Sequence, residues 1–343
     1  MPKQSETTIH DIAKKLNISA STVSRALNNN TLISEKTREL IQKKAKEMGY
    51  RPNIMAANFR TKKTNTIGVI VPLINRHFFS SVISGIEEIA YNNGYAVTIS
   101  QSKDNFYKET KIAQTLFANR VDGLIVSIAM QTKHFEHLKV FSERNVPLVF
   151  FDRVVDEINS HKIVVDDYAG AYKATEHLIQ QGGKRIAHIG GPLNLGIYKN
   201  RLKGYKAAMS EAGLPIDKNM LLHNSLTRED GERALKKLFS QSVTPDAIFC
   251  GNDTTALSAI IYLKENGFNV PEDVILVGFS NEPFSEVVTP SISTIKQPGF
   301  EMGKKAAQLI INQINSKTKE VINETILMPT ELIIRQSSVR NLK

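Results

Sequence analysis

Ser19, Ser21, Thr22, Ser24 and Asn28 crowd around a single cation, Arg25, in the stretch SASTVSRALN. Short hydroxyl and amide side chains are modest helix formers because they compete for backbone hydrogen bonds. Val23, Ala26 and Leu27 nevertheless fall at helical spacing. A helix with one apolar stripe and an outer face of hydroxyls, amides and a guanidinium is equipped to bond the polar edges of another molecule. Arg25 can pair bidentately with O6 and N7 of guanine, Asn28 can bond an adenine edge or a phosphate, and short neighbours let the backbone come close. An ordinary solvated helix face is the bland alternative. The charge distribution weighs against it: residues 1–65 hold 13 Lys+Arg and 5 Asp+Glu, a net of +8, out of +10 for the whole chain. Such concentration in the first fifth suits a nucleic-acid-binding head on a nearly neutral body. A basic tail kept for solubility would lack hydrophobic periodicity, and this segment has it.

The elements that must position these groups are legible. Ile9, Ile12, Ala13 and Leu16 form one stripe, which predicts a helix over 9–16 with Thr8 as N-cap and Asp11 as its capping-box acid. Asn17-Ile18 breaks it, Ser19 caps a second helix over 20–28, and Ser34 caps a third over 35–48. That third helix shows Leu40, Ile41, Lys44, Ala45 and Met48 on one face and stops at Gly49. Three short helices with a tight turn between the first two describe a helix-turn-helix unit, whose second helix enters the DNA major groove.

The segment TIHDIAKKLNISASTVSRALN, followed by ISEKTRELIQKKAKEMGYRPN, resembles the DNA-binding head of the LacI (lactose repressor) family, with the TVSR, SEKTRE and GYRPN elements matching without a gap. Asn17 stands where the family usually has Gly, and Asn tolerates the left-handed conformation better than most residues. The resemblance implies DNA contacts from Ser19, Ala20, Ser21, Thr22, Ser24, Arg25, Asn28, Ser34, Thr37, Tyr50 and Asn53. Ala20 and Ser21 occupy the two positions that commonly set base preference. Residues 53–65, NIMAANFRTKKTN, correspond to the family's hinge helix and linker. There Ala56 would let two hinge helices approach, and Phe59 stands at the position of the apolar wedge, usually Leu, that enters the minor groove. Packing against the body is the ordinary alternative for Phe59.

Beyond residue 66 the chain alternates short apolar runs with amphipathic stretches. The runs IGVIVP (67–72), AVTISQS (96–102), GLIVSI (123–128), PLVFFD (147–152), KIVVDD (162–167), RIAHIGG (185–191), AIFCGN (247–252) and VILVGFS (274–280) predict strands. Repeated β–α units imply parallel sheets covered by helices, and eight strands plus later crossing segments suit two lobes better than one sheet. Ligands of open α/β sheets sit at the carboxyl ends of the strands. Here those ends hold Asn75 to Phe79, Ser127, Asp152-Arg153, Gly190 to Leu195, Asn252-Asp253 and Ser280-Asn281, a polar set with a few aromatics. Gly190-Gly191-Pro192 reads as a turn, since no Lys-Ser/Thr follows to complete a phosphate loop.

The body is similar to the periplasmic-binding-protein-like effector domain of the same family. GIEEIAYNNGY, FFDR, DDYAGAYKATEHLI, GKRIAHIGGP, GNDTTA, VPEDVILVGFSN and TPSISTIKQP carry the likeness over nearly the whole chain. It implies a cleft walled by Phe78 and Phe79, with Asp152 and Arg153 for hydroxyls, Arg201 for hydroxyl or carboxylate oxygens, the pair Asn252 and Asp253, Ser280, and Gln297 in the crossing segment. Each has a plainer role open to it: Asp167 and Asp253 as helix caps, Arg153 paired only with Asp152, Arg201 as a surface cation. Ser280-Asn281 replaces an acidic pair of many sugar-responsive relatives, which together with Arg153 and Arg201 favours an acidic sugar.

The expected architecture is thus an all-α, lambda-repressor-like helix-turn-helix head (1–52), a hinge (53–65), and an α/β body (66–343) of two doubly wound parallel-sheet lobes of periplasmic-binding-protein type I-like fold. Lobe one is expected at about 66–165 and 296–326, lobe two at about 166–295 and 327–340. The expected function is a sequence-specific transcriptional regulator, by default a repressor. It would bind a near-palindromic double-stranded DNA operator as a homodimer under control of a small polar effector, a sugar or sugar derivative. Dimers rather than tetramers are expected, since no leucine heptads follow the strand-like TELIIRQSS. An enzyme lacks support: there is no G-x-S-x-G, no nucleotide fingerprint, and eight scattered histidines with one cysteine, Cys250, offer no metal spacing. No cofactor or metal is expected. A solute-binding protein for transport is disfavoured by the polar N-terminus and basic head, and no run of 18 apolar residues predicts a membrane span, so the expectation is cytoplasmic. A regulator controlled by a protein co-regulator is the remaining alternative.

Overall fold

The computed structural model describes residues 7–50, 63–316 and 323–340. The chain divides into two compact units, Met1–Lys63 and Thr64–Lys343. In the first, α1 (Ile9–Leu16), α2 (Ala20–Leu27) and α3 (Glu35–Glu47) enclose a small core of Ile12, Ala13, Val23, Ala26, Ile41 and Ala45. Thr8 and Asp11 form the expected capping box, and Asn17 takes the left-handed conformation (φ 53°, ψ 44°) that turns the chain toward α2. Leu40, expected on the buried face of α3, is 56 % exposed, because Ile41 and Ala45 fill the contact with α1 and α2.

The second unit contains two α/β lobes. Its elements are β1 (Thr66–Val71), α4 (His77–Asn92), β2 (Ala96–Gln101), α5 (Phe106–Ala118), β3 (Gly123–Val126), α6 (Glu136–Glu143), β4 (Leu148–Phe151), β5 (His161–Val165), α7 (Asp167–Gln180), β6 (Ile186–Gly190), α8 (Gly196–Glu211), β7 (Leu221–His223), α9 (Arg228–Phe239), β8 (Ala247–Cys250), α10 (Asp253–Glu265), β9 (Ile275–Phe279), α11 (Phe284–Val287), β10 (Ser293–Lys296), α12 (Gly299–Asn315), β11 (Thr325–Met328) and β12 (Glu331–Ile333). Among the described residues they form two six-stranded sheets, ordered β11-β5-β4-β3-β1-β2 and β12-β10-β9-β8-β6-β7. Only the β10–β12 pairing is antiparallel there. The central strands are buried on both faces, and their continuous apolar runs are what parallel sheets covered by helices require.

The chain crosses between lobes after Val165, after Lys296 and again at Pro329-Thr330. The last crossing lies beyond the expected 326–327 boundary. β11 stays in register with β5 through Met328↔Val165, and Pro329, which has no N–H to give the ladder, ends it. In lobe one α4 and α12 pack face to face. A Cβ on Gly85 would sit 2.1 Å from the Phe300 carbonyl and one on Gly303 2.0 Å from that of Val82, so only glycine permits this backbone approach. The tight pair fixes where α4 begins, and therefore where Arg76, Phe78 and Phe79 meet the strand ends.

Candidate functional site

In the head, Ser19 is the N-cap of α2 and accepts from Thr22 N at 3.1 Å, while its hydroxyl also bonds those of Ser21 and Thr22. Val23 and Ala26 are drawn into the core. The opposite stripe is therefore Ser21, Arg25 and Asn28, all exposed and spaced i, i+4, i+7. Thr22 and Ser24 flank it half-buried, and Ala20 and Tyr50 pack against the core. Asn28 folds its amide back onto the Ser24 carbonyl at 2.7 Å, leaving Oδ1 for other partners. Ser34 caps α3 and bonds the Thr37 hydroxyl at 2.8 Å. Asn53, Ala56 and Phe59 lie outside the described residues.

In the body the carboxyl ends of the strands converge on a cleft between the lobes. Phe78, Phe79, Asp152, Arg153, Arg201, Asn252, Asp253, Ser280 and Gln297 all line it. Four of its lining residues, Asp104, Asp152, Leu226 and Ser280, have φ of 57°, 58°, 55° and 110°, a region L residues rarely adopt. Such residues persist only where the surroundings over-determine them, and they gather at functional sites.

The individual roles differ from the plain alternatives. Arg153 pairs with Asp104 rather than chiefly with Asp152, whose Oδ2 is 4.0 Å from the Arg153 Nε. Burial pushes the Asp152 carboxyl above the usual carboxylate range, against the pull of Arg153 and Arg201. Arg153 Nε is buried with no hydrogen-bond partner in the protein. Arg201 is no surface cation. It is 4 % exposed, donates from Nε to Asp167 Oδ1 and from Nη1 to the Gly251 carbonyl, both at 2.7 Å, and its guanidinium lies 3.5 Å from the Phe279 ring centroid. Asp167 is thus an ion-pair partner, while the cap of α7 is Asp166; burial pushes Asp167 up to about 6. Asn252, not Asp253, caps α10: its Oδ1 accepts from Thr255 N at 2.8 Å and its Nδ2 donates to the Leu226 carbonyl at 3.0 Å. Ser280 Oγ donates to Gln297 Oε1 at 3.0 Å. Phe78 and Phe79 meet edge to face with centroids 5.2 Å apart.

Asp104, Arg76, Tyr198 and Glu282 also line the cleft and were missed. Three carried a usable signal: Asp104 stands three residues past the end of β2, Arg76 lies inside the Asn75–Phe79 strand end, and Glu282 directly follows Asn281. Tyr198 enters from the first turn of α8, which the strand ends alone do not indicate.

Comparison with known proteins matches residues 8–53 to the model described as bacterial regulatory proteins, lacI family. Residues 64–336 match the model described as periplasmic binding proteins and sugar binding domain of LacI family. The chain belongs to the LacI family. Among curated relatives, catabolite control protein A of Priestia megaterium is 32 % identical over 96 % of this chain and 99 % of its own. The HTH-type transcriptional repressor CytR of Escherichia coli (strain K12) is 34 % identical over 98 % of each. A solved structure of the lac repressor dimer bound to operator and the anti-inducer ONPF superposes with a TM-score of 0.85 at 25 % identity, covering 98 % of this chain and all of that one. As a LacI-family member the chain is a DNA-binding transcriptional regulator with an effector-binding body, and its relatives are regulators rather than enzymes. No helix of the described residues is long and apolar enough to cross a membrane.

Proposed function

We propose that this regulator is a repressor that binds a near-palindromic operator as a homodimer and answers to an uncharged, hydroxyl-rich effector, a sugar or sugar derivative, in the interlobe cleft. The exposed Ser21–Arg25–Asn28 stripe carries the DNA reading: it faces away from a core that consumes the other side of α2. Two-fold protein symmetry imposes operator symmetry, and Phe59 would wedge the central step. Lys and Arg contacts to phosphates supply salt-dependent affinity. The named relatives, a transcriptional repressor and a repressor dimer on its operator, support repression and the dimer.

The orphaned Arg153 Nε carries the effector reading, since a buried donor without a partner calls for a ligand oxygen. The cations themselves are committed: Arg153 to Asp104, Arg201 to Asp167, Arg76 to the Thr254 hydroxyl. Of the four carboxylates in the lining, Asp104, Asp253 and Glu282 are committed too, to Arg153, Thr294 and His77 N, which leaves Asp152, 4.0 Å from the Arg153 Nε, as the least committed. That balance withdraws support from the acidic sugar expected on Ser280-Asn281, and favours hydroxyls that accept from Arg153 and donate to Asp152.

Selection of bound duplexes from a random library at fixed, near-physiological salt tests the DNA reading. A near-palindrome with a pyrimidine–purine step at its centre is the expected product, and no enrichment with or without added metabolites would overturn it. Calorimetry with matched neutral sugars and uronates tests the effector reading; tight binding of the acids alone would reverse it.

A further inference from the structure

The turn Ser280–Glu282 is built with more care than a loop needs. Its first two residues sit at positive φ, and each of its three N–H groups is bonded: Ser280 to the Ile295 carbonyl at 2.7 Å, Asn281 to Thr294 Oγ1 at 3.2 Å, Glu282 to Asp253 Oδ2 at 2.7 Å. From the far side Arg335 Nη2 donates to Asn281 Oδ1 at 3.0 Å. What the turn delivers is the Glu282 carboxylate. It crosses from lobe two to lobe one, where Oε1 and Oε2 accept from His77 N at 3.2 and 3.3 Å.

His77 is the first residue of α4, a 16-residue helix. Its N-cap, Arg76, makes no side-chain cap bond, and donates instead across the cleft to Thr254 Oγ1. Helix N-termini carry unsatisfied N–H groups and partial positive charge, so an acid there is stabilising. In α4 the acid comes from the other lobe. Separating the lobes would strip the cap from α4 and the hydroxyl partner from Arg76 together.

Asp253 belongs to this device. Its Oδ2 holds Glu282 N, and its Oδ1 accepts the Thr294 hydroxyl at 2.6 Å. Both oxygens are engaged inside the protein, and β9 makes room for them with Gly278, whose added Cβ would lie 2.1 Å from Oδ1.

We propose that Glu282 is an interlobe latch that closes the cleft by capping α4 in trans, and that Asp253 is a positioning residue for this latch and not an effector contact. The inference rests on the reading of the cleft as the effector site, because closure there is what retains a ligand.

The test reads lobe separation in the full chain without any effector. Spin labels replace the exposed Lys111 (Lys111→Cys, on α5) and Lys237 (Lys237→Cys, on α9); the fully buried Cys250 does not react, and dilution with unlabelled protein leaves only within-chain pairs. Pulsed dipolar spectroscopy should find Glu282→Ala raising the ratio of long to short distances by about three- to tenfold, the scale of one lost charged cap. Glu282→Gln, which keeps an acceptor, should fall between. Asp253→Asn should shift the ratio the same way, and Asp253→Asn/Glu282→Ala no further than Glu282→Ala alone, whereas a merely structural Asp253 would add its own effect. An unchanged distribution in Glu282→Ala overturns the latch; additivity in the double variant overturns the role of Asp253. The same proteins titrated with the selected duplex report separately: a parent that binds none fails the regulator reading, while the distances still decide the latch.

Discussion

Replacing Arg201 by alanine removes a buried cation from between Asp167 and the Gly251 carbonyl and leaves Asp167, 2 % exposed, without its charge partner. Breaking a buried pair from one side costs about 3–5 kcal/mol. A second route to the magnitude agrees. If the orphaned carboxyl escapes by taking up a proton, holding it neutral at pH ~7 costs about 4 kcal/mol at 1.36 kcal/mol per pKa unit. Loss of the guanidinium from the Phe279 face adds up to about 2 kcal/mol, while the parent already carries part of the burial penalty, since its Asp167 is pushed up to about 6. We expect Arg201→Ala to lose about 4 kcal/mol at neutral pH, and Asp167→Asn/Arg201→Ala to regain about half of that because no charge is left to bury. The chain has no tryptophan, so urea unfolding is best followed by circular dichroism. With a slope of about 2–3 kcal/mol per molar, the single variant should move the midpoint down by about 1–2 M. Its deficit should shrink at pH ~5, where the orphaned acid protonates more cheaply. An Arg201→Ala midpoint within about 0.3 M of the parent, or a double variant no more stable than the single, would refute the reasoning.

Asp253 is pushed up to about 6 by burial, so its contribution to stability is full below its unfolded value near 3.8 and lost as pH rises through about 6. Asp253→Asn should therefore show a shallower loss of thermal stability than the parent between pH ~4 and ~6; parallel curves would contradict the assignment. In the head, Asn17→Val should cost about 1–2 kcal/mol at the left-handed turn, whereas Asn17→Gly should be neutral or better, as read by melting of the head. Thr8→Ala should lower the same melting transition by about 1 kcal/mol through loss of the capping box. Arg25→Ala should weaken binding to the selected duplex by about 1–3 kcal/mol and relax preference at one base pair per half-site; a uniform loss across all sequences would make Arg25 a phosphate contact.

What could be read without coordinates was whatever depends on near neighbours. The three head helices follow from stripes at i, i+3 and i+4 and from caps that act within three residues, and the boundaries at Thr8, Ser19 and Ser34 came out where those side chains sit. The eight predicted apolar runs match strands to within two residues. In β1, β3, β4, β6, β8 and β9 burial on both faces leaves an unbroken apolar signature, whereas β5 alternates and the edge strand β2 is marked by its β-branched residues alone. β7, with three residues, and β10 and β11, short and mixed in polarity, left no such mark. That strand ends would carry the cleft followed from the parallel α/β pattern, and the nine cleft-lining positions came from the family likeness laid on it.

The partners were beyond reach. Asp152 and Arg153 are adjacent in sequence, yet Arg153 turns to Asp104, 49 residues away, because strand order sets the ends of β2 and β4 around the same loop after β3. Asp253 looked like a cap or a ligand, but packing against β9 and β10 aims it at Thr294 and the Glu282 backbone. Glu282 drew no reading from the sequence, and its carboxylate meets the start of α4, 205 residues away, only because the two lobes face each other. Local periodicity and capping are short-range and survive in the linear text. Which charge answers which is a long-range outcome of sheet order and lobe closure, and only the folded chain decides it.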